Sequence, residues 1–352
     1  MRTSQVLTYA ILAGTSVAQG DIGALLASQP DLSTLLELVG LVDGLADTLS
    51  VASNITIFAP TNDAFAAVPR DVPEGQAIEN KNDTIAIGAL LANHVFKGVY
   101  PASVITDIPT FAQTLLDSSY VNEIQPFSNF TGGAYNELVK NGEDVCVISG
   151  EQTISTVTEA VSIHYDTPNS SPKTDANSQD IMLGSGITIH KVDTVLSFGA
   201  PFQLFTYRSG YFAMNAALEA AQLAIDFGLS SPSATGLNIS DFTIFVPTNS
   251  AFEAIGSVLE SADQATLQEV LKYHIIPSNV IFSTALGNVS VKSLQGEELV
   301  FTVLEDGSAW VNGAEIVFAN SILFNGVAHV IDGLVFSCFT INHHPHILTC
   351  HF

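Results

Sequence analysis

The sequence predicts two tandem domains of one kind, each built from both helices and strands. Three observations carry that expectation. The decapeptide "TIFAPTNDAF" at Thr56–Phe65 returns as "TIFVPTNSAF" at Thr243–Phe252, differing only at Ala59/Val246 and Asp63/Ser250. Two further phrases recur in the same order. "LLANHVFKGVYPASVI" (Leu90–Ile105) matches "VLKYHIIPSNVIFS" (Val270–Ser283), aligning His94 with His274, and "GITIHKVDTVL" (Gly186–Leu196) matches "GVAHVIDGLV" (Gly326–Val335), aligning His190 with His329 and Asp193 with Asp332. A return after roughly 190 residues exceeds the 20–50 residue period of a solenoid and fits a duplicated domain. The length of 352 residues accommodates two.

The elements follow in chain order. Arg2, an apolar run around Val6–Ala13 and small residues at Ser16 and Ala18 predict a secretory signal over residues 1–18. The first domain is expected over 21–199. It opens on a helix capped by Asp31, with Leu32, Leu35, Leu36 and Val39 on one face and Gly40 as its stop. Within the decapeptide, Thr56–Ala59 reads as a strand that Pro60 ends, since proline lacks a donor. Thr61 or Asn62 then caps a helix presenting Phe65 and Val68 inward, a cap contributing about 1 kcal/mol. Phe58 and Phe65 thus anchor the two sides of a strand-to-helix corner. Phe245, Pro247, Thr248 and Phe252 repeat it.

The stretch from His94 to His190 is much longer than that from His274 to His329, so the first copy carries an insertion, placed at about 117–180. Its centre, "VCVISGEQTISTVTEAVSIHY", alternates apolar and polar residues and predicts paired strands turning at Asn141-Gly142 and Ser149-Gly150. "TPNSSPKTDANSQ" (Thr167–Gln179) reads as an exposed loop. The boundary falls near Gly199–Pro201 with little room for a linker, so the domains are expected close together. The second domain, 202–337, opens on a helix placing Phe212, Ala216, Leu218, Leu223 and Phe227 on one face and stopping at Gly228. An irregular tail with Cys and His occupies 338–352.

Hydrophobic residues make up 47% and charged residues 13%, ample for two cores. Acidic residues outnumber basic ones 35 to 10, for a net charge of −25. Such a chain is repelled by nucleic acid and by anionic membrane surfaces, so both are poor partners. After the N-terminus, no apolar run reaches the ~20 residues that span a bilayer. Sequons at Asn54, Asn82, Asn129, Asn169, Asn238 and Asn288 predict a glycosylated surface. Three cysteines, Cys146, Cys338 and Cys350, do not make a disulfide scaffold; Cys338 with Cys350 would close a tail loop, but the pairing stays open.

These phrases resemble the fasciclin, or FAS1, family. The decapeptide is similar to its "TxFAPTNxAF" signature, and Asn325 with Gly326–Val335 is similar to its "NGVxHVIDxVL" signature. Tyr273-His274 keeps the family's Tyr-His pair, whereas Asn93-His94 replaces the tyrosine. The resemblance covers most of residues 21–337. It implies an α+β fold, in which each domain is a small wedge-shaped β-sandwich packed against several helices. It also implies secreted or surface-anchored proteins of adhesion and matrix organisation, with two-domain members among fungi. In animal relatives an Asp-Ile pair before the second signature is implicated in integrin binding. Asp180-Ile181 matches it here, while the second copy reads Asn320-Ser321-Ile322. Asp180, Ile181, Tyr273 and His274 are therefore the recognition candidates.

No metal and no cofactor are expected. His94, His190, His274 and His329 each sit on an apolar background and read as core imidazoles bonded to backbone or hydroxyl groups. His190 with Asp193, and His329 with Asp332, point to opposite faces of a strand and make no dyad. His343, His344, His346 and His351 crowd the tail without a closed Cys₂His₂ spacing, and the tail lacks a GPI signal. The sequence holds no Gly-x-Ser-x-Gly, His-Glu-x-x-His, Walker or dinucleotide motif. The expected function is non-enzymatic: a secreted, extracellular or wall-associated protein that engages cell-surface, wall or matrix glycans or proteins, with weak self-association. A carrier of a glycan, lipid or small molecule is the alternative, and a wall-modifying enzyme a third.

Overall fold

A computed structural model describes residues 22–116, 134–142, 144–150, 153–159, 163–164, 173–174, 181–183, 186–223, 225–226, 237–239, 241–256 and 262–336. The chain divides into two compact units that meet in sequence between Ser197 and Phe198. Each unit is described by itself.

Both units are built around a parallel pair of strands. In the first, Ile55–Pro60 runs beside Ile187–Val192, with Phe58 opposite His190. In the second, Phe242–Pro247 runs beside Gly326–Ile331, with Phe245 opposite His329. All residues of these four strands are buried. Burial on both faces explains why they read as near-continuous apolar runs. The period of two sorts their side chains between two cores. In the second unit, Ile244 and Val246 join Phe202, Met214, Leu218, Phe252 and Leu271 beneath the helices. Phe245 points the other way, into a cluster with Tyr273, Leu299, Phe301 and Val311.

That second cluster is the inside of a folded ladder. In the first unit the order is Val95–Lys97, Ile55–Pro60, Ile187–Val192, Thr153–Glu159, Asp144–Ser149, Tyr135–Asn141 and Thr110–Gln113. Phe58 and Val192 from one part pack with Leu138, Val145 and Val147 from the other. The ends of the ladder meet, because Phe96 bridges Thr114 and the Leu115 N–H donates to the Val95 carbonyl at 2.8 Å. The second unit repeats this order and joins its ends through Leu294 N–H and the Ile275 carbonyl at 2.6 Å. Closing the ladder removes the exposed strand edges that favour aggregation. Helices such as Ser33–Leu41 and Thr84–Asn93, or Phe212–Ala220 and Gln264–Tyr273, complete a mixed α+β fold in each unit.

The hairpins expected at Asn141-Gly142 and Ser149-Gly150 are present, with Gly142 and Gly150 at φ 66° and 55°. They belong to the common ladder, since the second unit carries matching strands at Glu298–Val303, Ala309–Val311 and Ala314–Leu323. The additional length of the first unit therefore lies in two connections, Gln113 to Tyr135 and Glu159 to Ile187, rather than in one inserted block.

Two helix expectations need correction. Asp31 caps nothing; it lies inside the Pro30–Leu32 turn, and its carboxylate meets buried Lys191 at 2.8 Å. Gly40 does not stop the following helix, which runs to Leu41 and buries Leu38 while Leu36 is half-exposed. In the second unit the helix ends at Ala220 and buries Met214 and Leu218. Phe212 and Ala216 face outward, with Phe212 edge-on to exposed Tyr207 at 5.7 Å. Phe227 and Gly228 lie outside the described residues. The apolar composition of that helix, rich in alanine, permits several faces, and packing against Phe242 and Leu271 selects the one with Met214.

Candidate functional site

The three repeated phrases converge on one joint in each unit, and the joint is internal. Thr56 opens the decapeptide with its hydroxyl donating to the Gly98 carbonyl at 2.9 Å and accepting the Tyr100 N–H at 2.9 Å. His190, from the third phrase, uses Nε2–H to bond the carbonyl of the same Tyr100 at 2.7 Å. The latter half of the second phrase is thus held from the first and third. The second unit reproduces the pattern. Thr243 bonds Asn279 and Ile281, each at 2.8 Å, and His329 Nε2–H bonds the Ile281 carbonyl at 2.8 Å. Both imidazoles stack on the phenylalanine opposite, His190 on Phe58 at 5.0 Å and His329 on Phe245 at 5.6 Å.

His94 and His274 have the opposite tautomer. The His94 Nε2 accepts the Leu196 N–H at 2.9 Å, so its proton sits on Nδ1 and donates to the Leu90 carbonyl at 2.8 Å. His274 likewise accepts from Val335 at 3.2 Å and donates to Val270 at 2.8 Å. Burial pushes the pKa of His94, His274 and His329 down from 6.5 to about 4, so each is neutral near pH 7. A neutral ring with both nitrogens engaged has no lone pair for a metal. Among the described residues no group of three or more His, Cys, Asp or Glu is placed to hold one.

The corner behaves as its residue types dictate. Thr61 and Thr248 cap the helices Asn62–Ala67 and Asn249–Ala254, accepting the Ala64 and Ala251 N–H groups at 3.2 Å. Pro60 and Pro247 are the last residues of their strands. Phe58, Phe65, Phe245 and Phe252 are buried, whereas Val68 is half-exposed beyond its helix. The asparagine after each threonine has a role the sequence reading left out. Asn62 accepts from Thr34 N–H at 2.9 Å and donates to Pro30 and Ser33; Asn249 accepts from Ala213 N–H at 3.1 Å and donates to Gly210 at 2.8 Å. Each ties the corner to the start of an earlier helix, Ser33–Leu41 in the first unit and Phe212–Ala220 in the second. The identity of both asparagines in the repeat was the available signal.

Asp193 is exposed and accepts a bond from the Thr194 hydroxyl at 3.0 Å, away from buried His190. Asp332 accepts the Glu315 N–H at 2.7 Å. Both hold backbone or neighbouring side chains. Tyr273 and His274 need correction as recognition residues: they are 3% and 0% exposed, and the Tyr273 hydroxyl donates to the Glu298 carbonyl at 2.6 Å. Groups so enclosed present nothing to a partner. Ile181 begins the strand Ile181–Leu183, paired with Ile189, while Asp180 lies outside the described residues. Asn54, Asn82 and Asn288 are exposed, and Asn238 ends the short strand Leu237–Asn238. Asn129, Asn169, the leader at 1–18 and the tail at 338–352 fall outside the described residues. Cys146 is buried in Asp144–Ser149.

The fasciclin domain pattern matches residues 30–198 and again 209–336. The chain belongs to the fasciclin family. A fasciclin-like arabinogalactan protein of Arthroderma benhamiae is 25% identical over 317 residues, covering 88% of this chain and 65% of that protein. Another from Phaeosphaeria nodorum is 24% identical, covering 92% of this chain and 91% of its own. The solved FAS1 domain pair of the insect cell adhesion molecule fasciclin I covers 89% of this chain at 17% identity and a TM-score of 0.35. This fasciclin chain spans about two thirds of the Arthroderma relative. Among its described residues no helix is long and apolar enough to cross a membrane.

Proposed function

We propose that this fasciclin protein is a secreted, N-glycosylated, non-enzymatic component of the extracellular surface, wall or matrix, acting through contacts made by the exteriors of its two domains. One observation carries the reading. The repeated phrases, which hold the chain's motif histidines, are engaged in internal bonds in both copies. Residues that a duplicated active site would keep aligned are here aligned for packing. The relatives named fasciclin-like arabinogalactan proteins support a setting among surface glycans. The net charge of −25 favours neutral or basic partners over nucleic acid.

An array of wall polysaccharides and matrix proteins, incubated with the full glycosylated chain, tests this. Binding to one or more polymers that persists in the presence of a chelator is the expected result. Turnover of a polymer, or no binding to any, would reject it. Within this reading Asp180-Ile181 is the candidate contact. Asp180→Ala is expected to reduce cell attachment, and undiminished attachment removes that pair from consideration.

A further inference from the structure

Among its described residues the ladder of the second domain presents an outward apolar stripe. Along Glu298–Val303, Leu299 and Phe301 point inward while Glu298, Val300 and Thr302 are exposed. Thr302 pairs with Trp310, and Trp310 pairs with Glu315. One row further, the Leu304 N–H donates to the Ser308 carbonyl at 2.9 Å, and Leu304 stands two residues past Thr302 on the same face. Val300 and Leu304 are 50% and 45% exposed, and half-buried Trp310 stands opposite Thr302 between them. An outward apolar strip of this kind marks a surface that something covers.

The edge of that face supplies the occupant. Asn288 opens the sequon Asn288-Val289-Ser290 and is exposed. Its Oδ1 accepts the Val303 N–H at 3.1 Å, which orients the amide and does not use Nδ2, the atom that carries an N-linked sugar. From that edge to Trp310 is two strand spacings, about 10 Å, a distance the first sugars of an N-glycan cover. The indole is held by its edge: Nε1–H donates to Ser308 Oγ at 3.0 Å, and that hydroxyl donates to Asp306 at 2.7 Å. A ring tied in this way offers a fixed apolar surface to the C–H face of a sugar, whose hydroxyls stay in water. A second copy of the chain fits poorly, because Glu298, Glu305, Asp306 and Glu315 flank the stripe and each copy carries a net charge of −25.

We propose that the N-glycan on Asn288 lies across this face with its first sugars against Trp310, shielding the stripe. The inference rests on the reading of the chain as a secreted glycoprotein. Trp310 is the single tryptophan, so its emission reports on this place alone. The full chain is produced in a secreting eukaryotic host, and occupancy of Asn288 is read by peptide mass spectrometry. Trp emission and acrylamide quenching are then measured before and after complete enzymatic removal of N-glycans. Removal is expected to shift the emission to the red and raise the quenching constant. Asn288→Gln is expected to show both changes from the outset and no response to the enzyme, while Asn54→Gln leaves the emission as in the parent. An occupied Asn288 whose removal leaves emission and quenching unchanged defeats the inference and leaves the glycoprotein reading intact. A bare Asn288 in a protein glycosylated elsewhere defeats it at its premise. No sugar on any sequon rejects both.

Discussion

His94 holds Leu196, its Nε2 accepting the leucine's backbone N–H at 2.9 Å across 102 positions of the chain. The same ring donates to Leu90, so one imidazole joins the end of the Thr84–Asn93 helix to the segment leaving the parallel strand pair. His274 joins Val270 to Val335 in the same way. His94→Ala and His274→Ala each orphan a buried N–H and leave a void. A destabilisation of about 2–4 kcal/mol is expected for each from those two effects. Urea denaturation of the full chain measures it. A change no larger than that of a surface substitution, about 0.5 kcal/mol, would contradict the role.

Acid should weaken both domains. For His94, His274 and His329 the folded pKa lies at about 4, below the unfolded value of 6.5. Between those values the unfolded chain binds protons that the folded chain does not, so stability rises with pH through the window. Their contribution is therefore complete above pH 6.5, is lost progressively as pH falls, and is gone below about 4. Each ring accounts for roughly 3 kcal/mol over that range. Protonated His94 or His274 would also turn an Nε2 donor toward a backbone donor. Denaturation midpoints at pH 7, 5.5 and 4.5 are expected to fall in that order, and His329→Gln should make the dependence shallower. Equal midpoints for parent and variant across the series would count against it.

The decapeptide asparagines should matter more than the caps beside them. Thr61→Ala removes one capping bond, about 1 kcal/mol. Asn62→Ala removes bonds to Thr34, Pro30 and Ser33, which together fasten the helix to the start of Ser33–Leu41, so a loss of about 2–3 kcal/mol is expected. Asn249→Ala, with two such bonds, should fall between them. Thermal or urea unfolding of the three variants ranks them. Thr61→Ala as the most damaging of the set would reverse the assignment.

Much of this was legible in the sequence because repetition reports which residues the fold cannot change. Phe58, Phe65 and Thr61 recur as Phe245, Phe252 and Thr248, and their burial and capping follow from residue type. Long-range partners were not legible. Lys191 reads as a polar interruption in "ITIHKV", and only the packing of the Pro30–Leu32 turn explains why it meets Asp31 instead of solvent. Asp31 for the same reason looked like a cap. The helix at Phe212–Ala220 was misphased because alanines leave a weak pattern that tertiary contact with Leu271 resolves. Tyr273-His274 was read as a recognition pair from resemblance. A motif's recurrence does not say whether it faces in or out, and here the Tyr273 hydroxyl closes on the Glu298 carbonyl.

Two glycines separate close approach from mere flexibility. Gly326 pairs with Phe242 in the parallel ladder, and a Cβ there would collide with the Phe242 carbonyl oxygen and press its ring at 3.1 Å. The obstacle is backbone within a sheet buried on both faces, so it has no room to yield. Gly326→Ala is expected to destabilise the chain by about 1–3 kcal/mol, the scale of overpacking in a filled core. Gly40 is the contrast: it is exposed inside Ser33–Leu41, with nothing within 4 Å of an added Cβ. Gly40→Ala should raise stability by about 0.5–1 kcal/mol by restricting the unfolded chain at no steric cost. Paired urea titrations of the two variants decide the matter. Effects of the same sign would mean that the close approach at Gly326, and with it the register of the parallel pair, is misplaced.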